Sequence, residues 1–394
     1  MRNLALWSSL VLIFVIPLEN AAFVPGLGRI SRIAGLLVAA LWLITKILDG
    51  KIRRPRLVHF AIMLFVLWNA LSVLWSVDVG ESLARFMTYL QLFGMILIIS
   101  DLYTSPRALH AGLQAYVLGA YFGLAGTIYN YFNASAFYYG RYSGAGLHVN
   151  DLGLILAFGI PVAWYLTLVE AHGKKGAWLK FINTVYLPAA ILAICLTGSR
   201  SALLAVVPGM CYVLWSLPRL KPYVRALVLG AFVALFFVLQ LTIPQTSLQR
   251  LAATGAVITE GDWNGRLDIW REGLQLFAKH PFLGVGGGAF RSAAIEAGKL
   301  AHNFAISLLA EVGIIGFALF AMILSMAVHD AIGQPRRLRR LWLAVLMAWM
   351  IGALSHNWEH RKQTWLFLGM VIAGTTAAVR ETQPYARIVH QTPE

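Results

Sequence analysis

Few residues in this sequence are equipped for chemistry, and they sit at particular places along the chain. Ala301-His302-Asn303-Phe304 closes a polar stretch and opens an apolar one, setting an imidazole at the entry to a helix. A helix N-terminus disfavours the imidazolium, so His302 there stays neutral and able to accept a proton; the plainer role is to cap the helix. Arg200 ends the turn Thr197-Gly198-Ser199-Arg200 between two apolar runs, and Arg266 opens Gly265-Arg266-Leu267-Asp268-Ile269-Trp270. A guanidinium presents a planar fork of donors and never loses its charge, which suits it to diphosphate oxygens, whereas isolated arginines at a membrane boundary also act as snorkelling anchors.

Further polar residues crowd short segments. Arg141, His148 and Asn150 precede one apolar run, and Ser355-His356-Asn357-Trp358-Glu359-His360-Arg361-Lys362 forms a dense polar turn before another. With Asn303, His356, Glu359 and His360, these either line an acceptor site or simply hydrogen-bond at an interface. Arg85 and Glu311 fall within or at the edge of apolar runs, where an ionisable group is a functional candidate. Gly286-Gly287-Gly288 offers either an anion nest or a flexible hinge.

Missing patterns narrow the chemistry. Glu260 and Asp262 are the only close acidic pair between 244 and 301, which does not make a carboxylate cluster for a divalent ion, so no metal is expected. Neither a phosphate loop nor a dinucleotide fingerprint is present; no cofactor is expected, and the bond energy must arrive with the substrate. Cys195 and Cys211 lie in apolar runs and read as packing residues.

The elements that must position these groups are membrane helices. The chain is 59% hydrophobic and 12% charged, far from the roughly one-quarter charged content of soluble domains. Apolar runs fall near 4–18, 33–48, 57–76, 84–101, 108–131, 151–169, 181–197, 201–217, 224–243, 303–328, 341–358 and 363–379. The spacing predicts an all-α polytopic membrane protein of about twelve spans, since backbone in hydrocarbon must satisfy its hydrogen bonds within each segment. A barrel would need short alternating strands, and none is evident. The first run is read as a retained helix rather than a cleaved signal peptide.

The net charge of +15 reads through its distribution and implies no nucleic acid. Lys46, Lys51, Arg53, Arg54 and Arg56, then Lys174, Lys175 and Lys180, then Arg219, Lys221 and Arg225, then Arg336, Arg337, Arg339 and Arg340 occupy connections on one side. The positive-inside rule makes that side cytoplasmic, with both termini on it; the clusters serve orientation and contact with anionic lipid. The opposite side receives the 131–150 segment, the 197–200 turn, one long loop at 244–301 with an amphipathic helix around 267–277, and the 356–362 turn. The layout is thus helices 1–9 over 1–243, the long loop over 244–301, helices 10–12 over 302–380, and a cytoplasmic tail over 381–394.

Three motifs in order resemble one family. Arg266-Leu267-Asp268-Ile269-Trp270 leading to His280-Pro281-Phe282-Leu283-Gly284-Val285-Gly286, then His302-Asn303 with Leu309-Ala310-Glu311-Val312-Gly313-Ile314-Ile315-Gly316, and the Thr197-Gly198-Ser199-Arg200-Ser201 turn are similar to the O-antigen ligase and polymerase superfamily. The architecture of about twelve spans and one late periplasmic loop is similar too. The resemblance implies a glycosyltransferase of the bacterial inner membrane acting at the periplasmic face in lipopolysaccharide biosynthesis. It would take glycan from undecaprenyl diphosphate and place it on lipid A-core, with His302 catalytic and Arg200 and Arg266 holding the diphosphate. The 356–362 turn leans toward ligases; the polymerase shares the chemistry and differs in acceptor. A transporter or lipid-linked-sugar flippase would show a repeat between halves and charges at mid-membrane, neither of which is evident.

Overall fold

The computed structural model describes residues 1–21, 23–24, 28–50, 53–137, 140–169, 173–243, 249, 265–294 and 298–389. Each apolar run lies on a helix, with ends shifted by a few residues. In chain order these are α1 (Arg2–Val15), α2 (Ile30–Asp49), α3 (Leu57–Ser72), α4 (Val79–Leu102), α5 (Pro106–Phe132), α6 (Val149–Leu168), α7 (Gly173–Thr197), α8 (Arg200–Ser216) and α9 (Pro222–Thr242). After them come α10 (Arg266–Lys279), the one-turn α11 (Phe290–Ala293), α12 (Phe304–Ile332), α13 (Arg336–Ala353) and α14 (Lys362–Val389). The described extended structure is a two-residue ladder pairing Phe23–Val24 with Gly28–Arg29. Glu260 and Asp262 lie outside the described residues.

The protein is an all-α polytopic membrane protein. Nine of the described helices are long and apolar enough to cross a membrane. The other three apolar runs, on α1, α13 and α14, are not among them. The first ends at Leu18, after α1 and one 3-10 turn. α13 begins five residues before its apolar run, because Arg336, Arg337, Arg339 and Arg340 join the helix instead of the connection; arginine is a good helix former, and Arg340 stacks 5.0 Å from the Trp215 ring. α14 is a core helix, buried from Trp365 to Leu368 and from Met370 to Ala373. It meets the equally enclosed α6 through Phe158, whose ring stands edge-on to Phe367 and Trp358.

The amphipathic pattern near 267–277 folds as α10, which turns Ile269 and Gly273 inward and leaves Leu267 and Leu274 exposed. Ile269, Phe290, Ala294, Ala301 and Ala310 make a satellite core that fastens this helix to the start of α12. The following glycines are neither a nest for a free anion nor a hinge. α12 breaks at Gly313 (φ 66°, ψ −172°), and the 281–288 loop runs through the break. Ile314 N donates to Pro281 O (2.8 Å), Val285 N to Ala310 O (2.9 Å) and Gly286 N to Glu311 O (2.8 Å). Gly287 N donates to Ser72 Oγ (3.1 Å) and Gly288 N to the Glu311 carboxylate (2.8 Å). These N–H groups are satisfied by the chain itself, one of them by its own anion.

This junction tolerates no side chain. A Cβ on Gly313 would lie 2.2 Å from Phe282 O, and the backbone there is in a region almost exclusive to glycine. Gly313→Ala is expected to cost on the order of 3 kcal/mol, strain and overpacking combined. A clear fall in the Tm of detergent-solubilised protein checks it, and an unchanged Tm would refute the threaded junction.

Candidate active site

Polar contacts gather several helix ends at one end of the bundle. The segment before α6 is tied to the α7–α8 turn by Tyr142 N donating to Leu196 O (3.0 Å) and by Arg141 Nε donating to Thr197 O (2.7 Å). Arg141 Nη2 also donates to Asn150 Oδ1 (2.7 Å), so this buried guanidinium joins the start of α6 to the turn that carries Arg200. Trp270 Nε1 donates to Ala301 O (2.9 Å), fixing α10 beside the residue before His302. Asn303 Nδ2 donates to Leu354 O (3.1 Å), bringing the 354–361 turn against the start of α12.

His302, Arg200 and Arg266 are all half-buried here. Arg200 and Arg266 lie close enough for each to feel the other's charge: Arg266 has its pKa lowered by burial and then by Arg200. Two cations held together at a partly desolvated site repel one another, and an anion between them relieves that repulsion. His302 is kept neutral. Burial, then the Arg266 and His148 charges, push its pKa below 6.5, opposed by Asp151. It does not cap α12, because Asn303 does, its Oδ1 accepting from Ala305 N (2.9 Å) and Ile306 N (3.2 Å). His302 instead stands in a left-handed conformation (φ 49°), unusual for a non-glycine side chain.

The other candidates divide into two groups. His148 and His356 join His302. His148 caps α6, Nδ1 accepting from Asn150 N (3.3 Å), and burial lowers its pKa. His356 is buried; its Nδ1 donates to Gly352 O (3.2 Å), so Nε2 carries the lone pair and has no protein partner. Burial holds its pKa down at about 4, and it feels Asp151, Arg266 and His302.

Arg85, Glu311, Glu359 and His360 form a separate buried network. Arg85 Nη1 lies 3.3 Å from Glu359 Oε1, 3.8 Å from Glu311 Oε2 and 2.9 Å from His360 Nδ1. Glu359 Oε1 is 3.0 Å from the same His360 nitrogen, and both carboxylates are buried. Burial pushes the Glu359 carboxyl up, but His360 and Arg85 outweigh it and hold it ionised. This network locks α4, α12 and the polar turn together. Glu311 connects it to the glycine loop through Gly288.

Asp151 is the residue that sequence reading missed. Its Oδ1 accepts from Trp358 Nε1 (3.0 Å) and its Oδ2 from Arg361 (3.0 Å), placing a carboxylate among the three histidines. The signal was an acidic residue in the first turn of α6, next to His148 and Asn150. Glu19 is a second one: buried, it receives Lys362 Nζ (2.8 Å) and Arg361 (3.7 Å). Among the described residues, no group of three or more His, Cys, Asp or Glu side chains is arranged to hold a metal ion.

The buried histidines imply acid sensitivity. His356 and His360 each fall to about 4 in the folded protein, mainly through burial, against about 6.5 unfolded. The unfolded chain therefore binds more protons between those values, and the stability they confer is present above pH 6.5 and lost as pH falls toward 4. A lower Tm at pH 5 than at pH 7.5, with the loss reduced in His356→Gln, is the expected result; a flat profile would contradict it.

Comparison with known proteins finds two matches. Residues 185–321 match a family model described as O-antigen ligase. The chain is also 26% identical over 339 residues to the exopolysaccharide production protein ExoQ of Rhizobium meliloti (strain 1021), covering 79% of this chain and 73% of the relative. Residues 185–321 are thus similar to O-antigen ligases, and most of the chain is similar to an exopolysaccharide production protein. The O-antigen ligase segment runs from within α7 into α12 and takes in Arg200, Arg266, His302 and Glu311, whereas Arg141, His148, Asn150, Asp151 and the 354–361 turn lie outside it. The protein is membrane-embedded, and its likeness is to proteins of the polysaccharide ligase and polymerase type.

Proposed function

We propose that the protein is an inverting glycosyltransferase that moves a glycan from undecaprenyl diphosphate to lipid A-core at the periplasmic face of the bacterial inner membrane. What carries this reading is the meeting of Arg200, Arg266 and neutral His302 at one end of an apolar bundle. That end is taken as periplasmic, with 244–301 as the loop over it and both termini, including the 381–394 tail, cytoplasmic, because the basic connections lie at the other end.

His302 takes the proton of the acceptor hydroxyl as its oxygen bonds to the anomeric carbon. The bond from that carbon to the diphosphate oxygen breaks in the same step, and the electron pair leaves on undecaprenyl diphosphate. Displacement from the opposite face inverts the anomeric centre. Arg200 and Arg266 stabilise the charge growing on the diphosphate, and Asp151 stabilises the imidazolium that forms. The lone pair on His356 Nε2 provides an acceptor, and the Nε2–H of neutral His148 a donor, for further sugar hydroxyls. No metal ion or nucleotide takes part.

One observation favours a second reading. The relative is named for exopolysaccharide production, which fits a polymerase that joins lipid-linked repeat units through the same chemistry.

The test supplies purified protein in lipid with undecaprenyl-diphosphate-linked glycan, with and without lipid A-core, excess chelator and no nucleotide. Product masses are read. Glycan on the core supports the ligase, lengthened carrier-linked glycan without core makes the protein a polymerase, and neither product overturns both.

A further inference from the structure

A second polar site lies at the far end of the bundle. α3 is capped by Arg56 and ends at Ser72 against the glycine loop, and α12, capped by Asn303, carries near its other end the Asp330 that pairs with Arg56 (2.6 Å). Sixteen helical residues separate the two sites along α3, roughly 24 Å. Between the ends of α2 and α4, the start of α3 and α14 is a cavity of about 230 Å³, room for several waters at roughly 30 Å³ each. Lys46, Arg53, Arg54 and Arg56 line it, and Asp101 is the single carboxylate among its lining residues.

The cavity is built. Lys46 Nζ lies 2.7 Å from Asp101 Oδ2, which also accepts from Trp42 Nε1 (3.0 Å). Arg53 Nη1 donates to Ser100 O (3.0 Å) and Nη2 to Thr376 Oγ1 (2.6 Å). Arg56 is spread between Asp330 and Thr375 Oγ1 (2.6 Å). Three of these four cations, Lys46, Arg53 and Arg56, are thus held around one opening by contacts that fix where they point, and Arg54 lines it beside them. Helix-anchoring arginines need no such convergence, since a snorkelling side chain simply reaches outward. The flanking surfaces of α2 and α3 expose Leu43, Ile44, Ile47, Phe60 and Leu64, which suits acyl chains running away from a bound headgroup.

We propose that this cavity binds the phosphate of an anionic membrane lipid, a phosphodiester with its acyl chains along α2 and α3. The ligand recognised is a singly charged phosphate, and the apolar flank makes a lipid its source.

The experiment uses the full-length protein, delipidated in detergent and titrated with phosphatidylglycerol, with phosphatidylcholine and with inorganic phosphate, read by native mass spectrometry. One phosphatidylglycerol should bind per chain in preference to phosphatidylcholine, and Arg53→Gln/Arg54→Gln should weaken it about 30-fold. Exposed Arg54→Gln alone keeps the test valid if the double variant does not fold, with a smaller loss expected. Inorganic phosphate at millimolar concentration should not displace the lipid; if it does, the lipid source is overturned. Equal retention by the variants would overturn the site. So would an equal loss from Lys174→Gln/Lys175→Gln in a different connection, since binding would then be diffuse.

Discussion

His302→Asn is expected to lower transfer by about 10²- to 10⁴-fold, the usual worth of a general base, while leaving the protein folded and inserted. Asparagine is the informative replacement. His302 sits at φ 49°, and asparagine accepts the left-handed conformation better than alanine, so lost activity is not confounded with backbone strain. The depressed pKa of His302 supplies a second readout. The base form predominates at neutral pH, so wild-type transfer should hold as pH is lowered to 6.5 and fall only below it. The residual activity of His302→Asn should lack that limb. Substantial transfer by His302→Asn or His302→Ala would remove His302 from the mechanism.

Arg200→Lys and Arg266→Lys are each expected to cost nearly as much as the alanine variants, about 10²- to 10³-fold by analogy with the removal of one preorganised donor from an anionic transition state. Lysine keeps the charge and loses the fork, so a large Arg→Lys penalty separates paired hydrogen bonding to diphosphate from simple anchoring. The two positions share one anion and should not act independently. The double variant is expected to lose less than the product of the single losses. Single-turnover rates and carrier binding, measured separately, check this. Full activity in both lysine variants would make these residues anchors.

The helices were legible in the sequence because hydrocarbon leaves the backbone no other solution: each spanning segment must close its own hydrogen bonds, so a local count of apolar residues is enough. It misjudged some ends, as at α13, where arginine's helix propensity carried the helix back to Arg336. The residue types suited to phosphate and proton transfer were legible for a similar reason, because fork geometry and imidazole basicity belong to the side chain alone.

What the sequence could not determine was grouping. Arg200, Arg266, His302, His148 and His356 come from five segments, and Asp151, unremarkable in the chain, meets them through Trp358 and Arg361. Arg85, Glu311, Glu359 and His360 carry the same kinds of group, yet packing pairs them with one another in a separate network. The glycines after Phe282 offered N–H groups to an anion, and the fold filled them with Ser72 and Glu311. Charge and hydrogen-bonding capacity reside in single residues. Whether that capacity is spent internally or faces a substrate depends on long-range contacts, which only the tertiary structure decides.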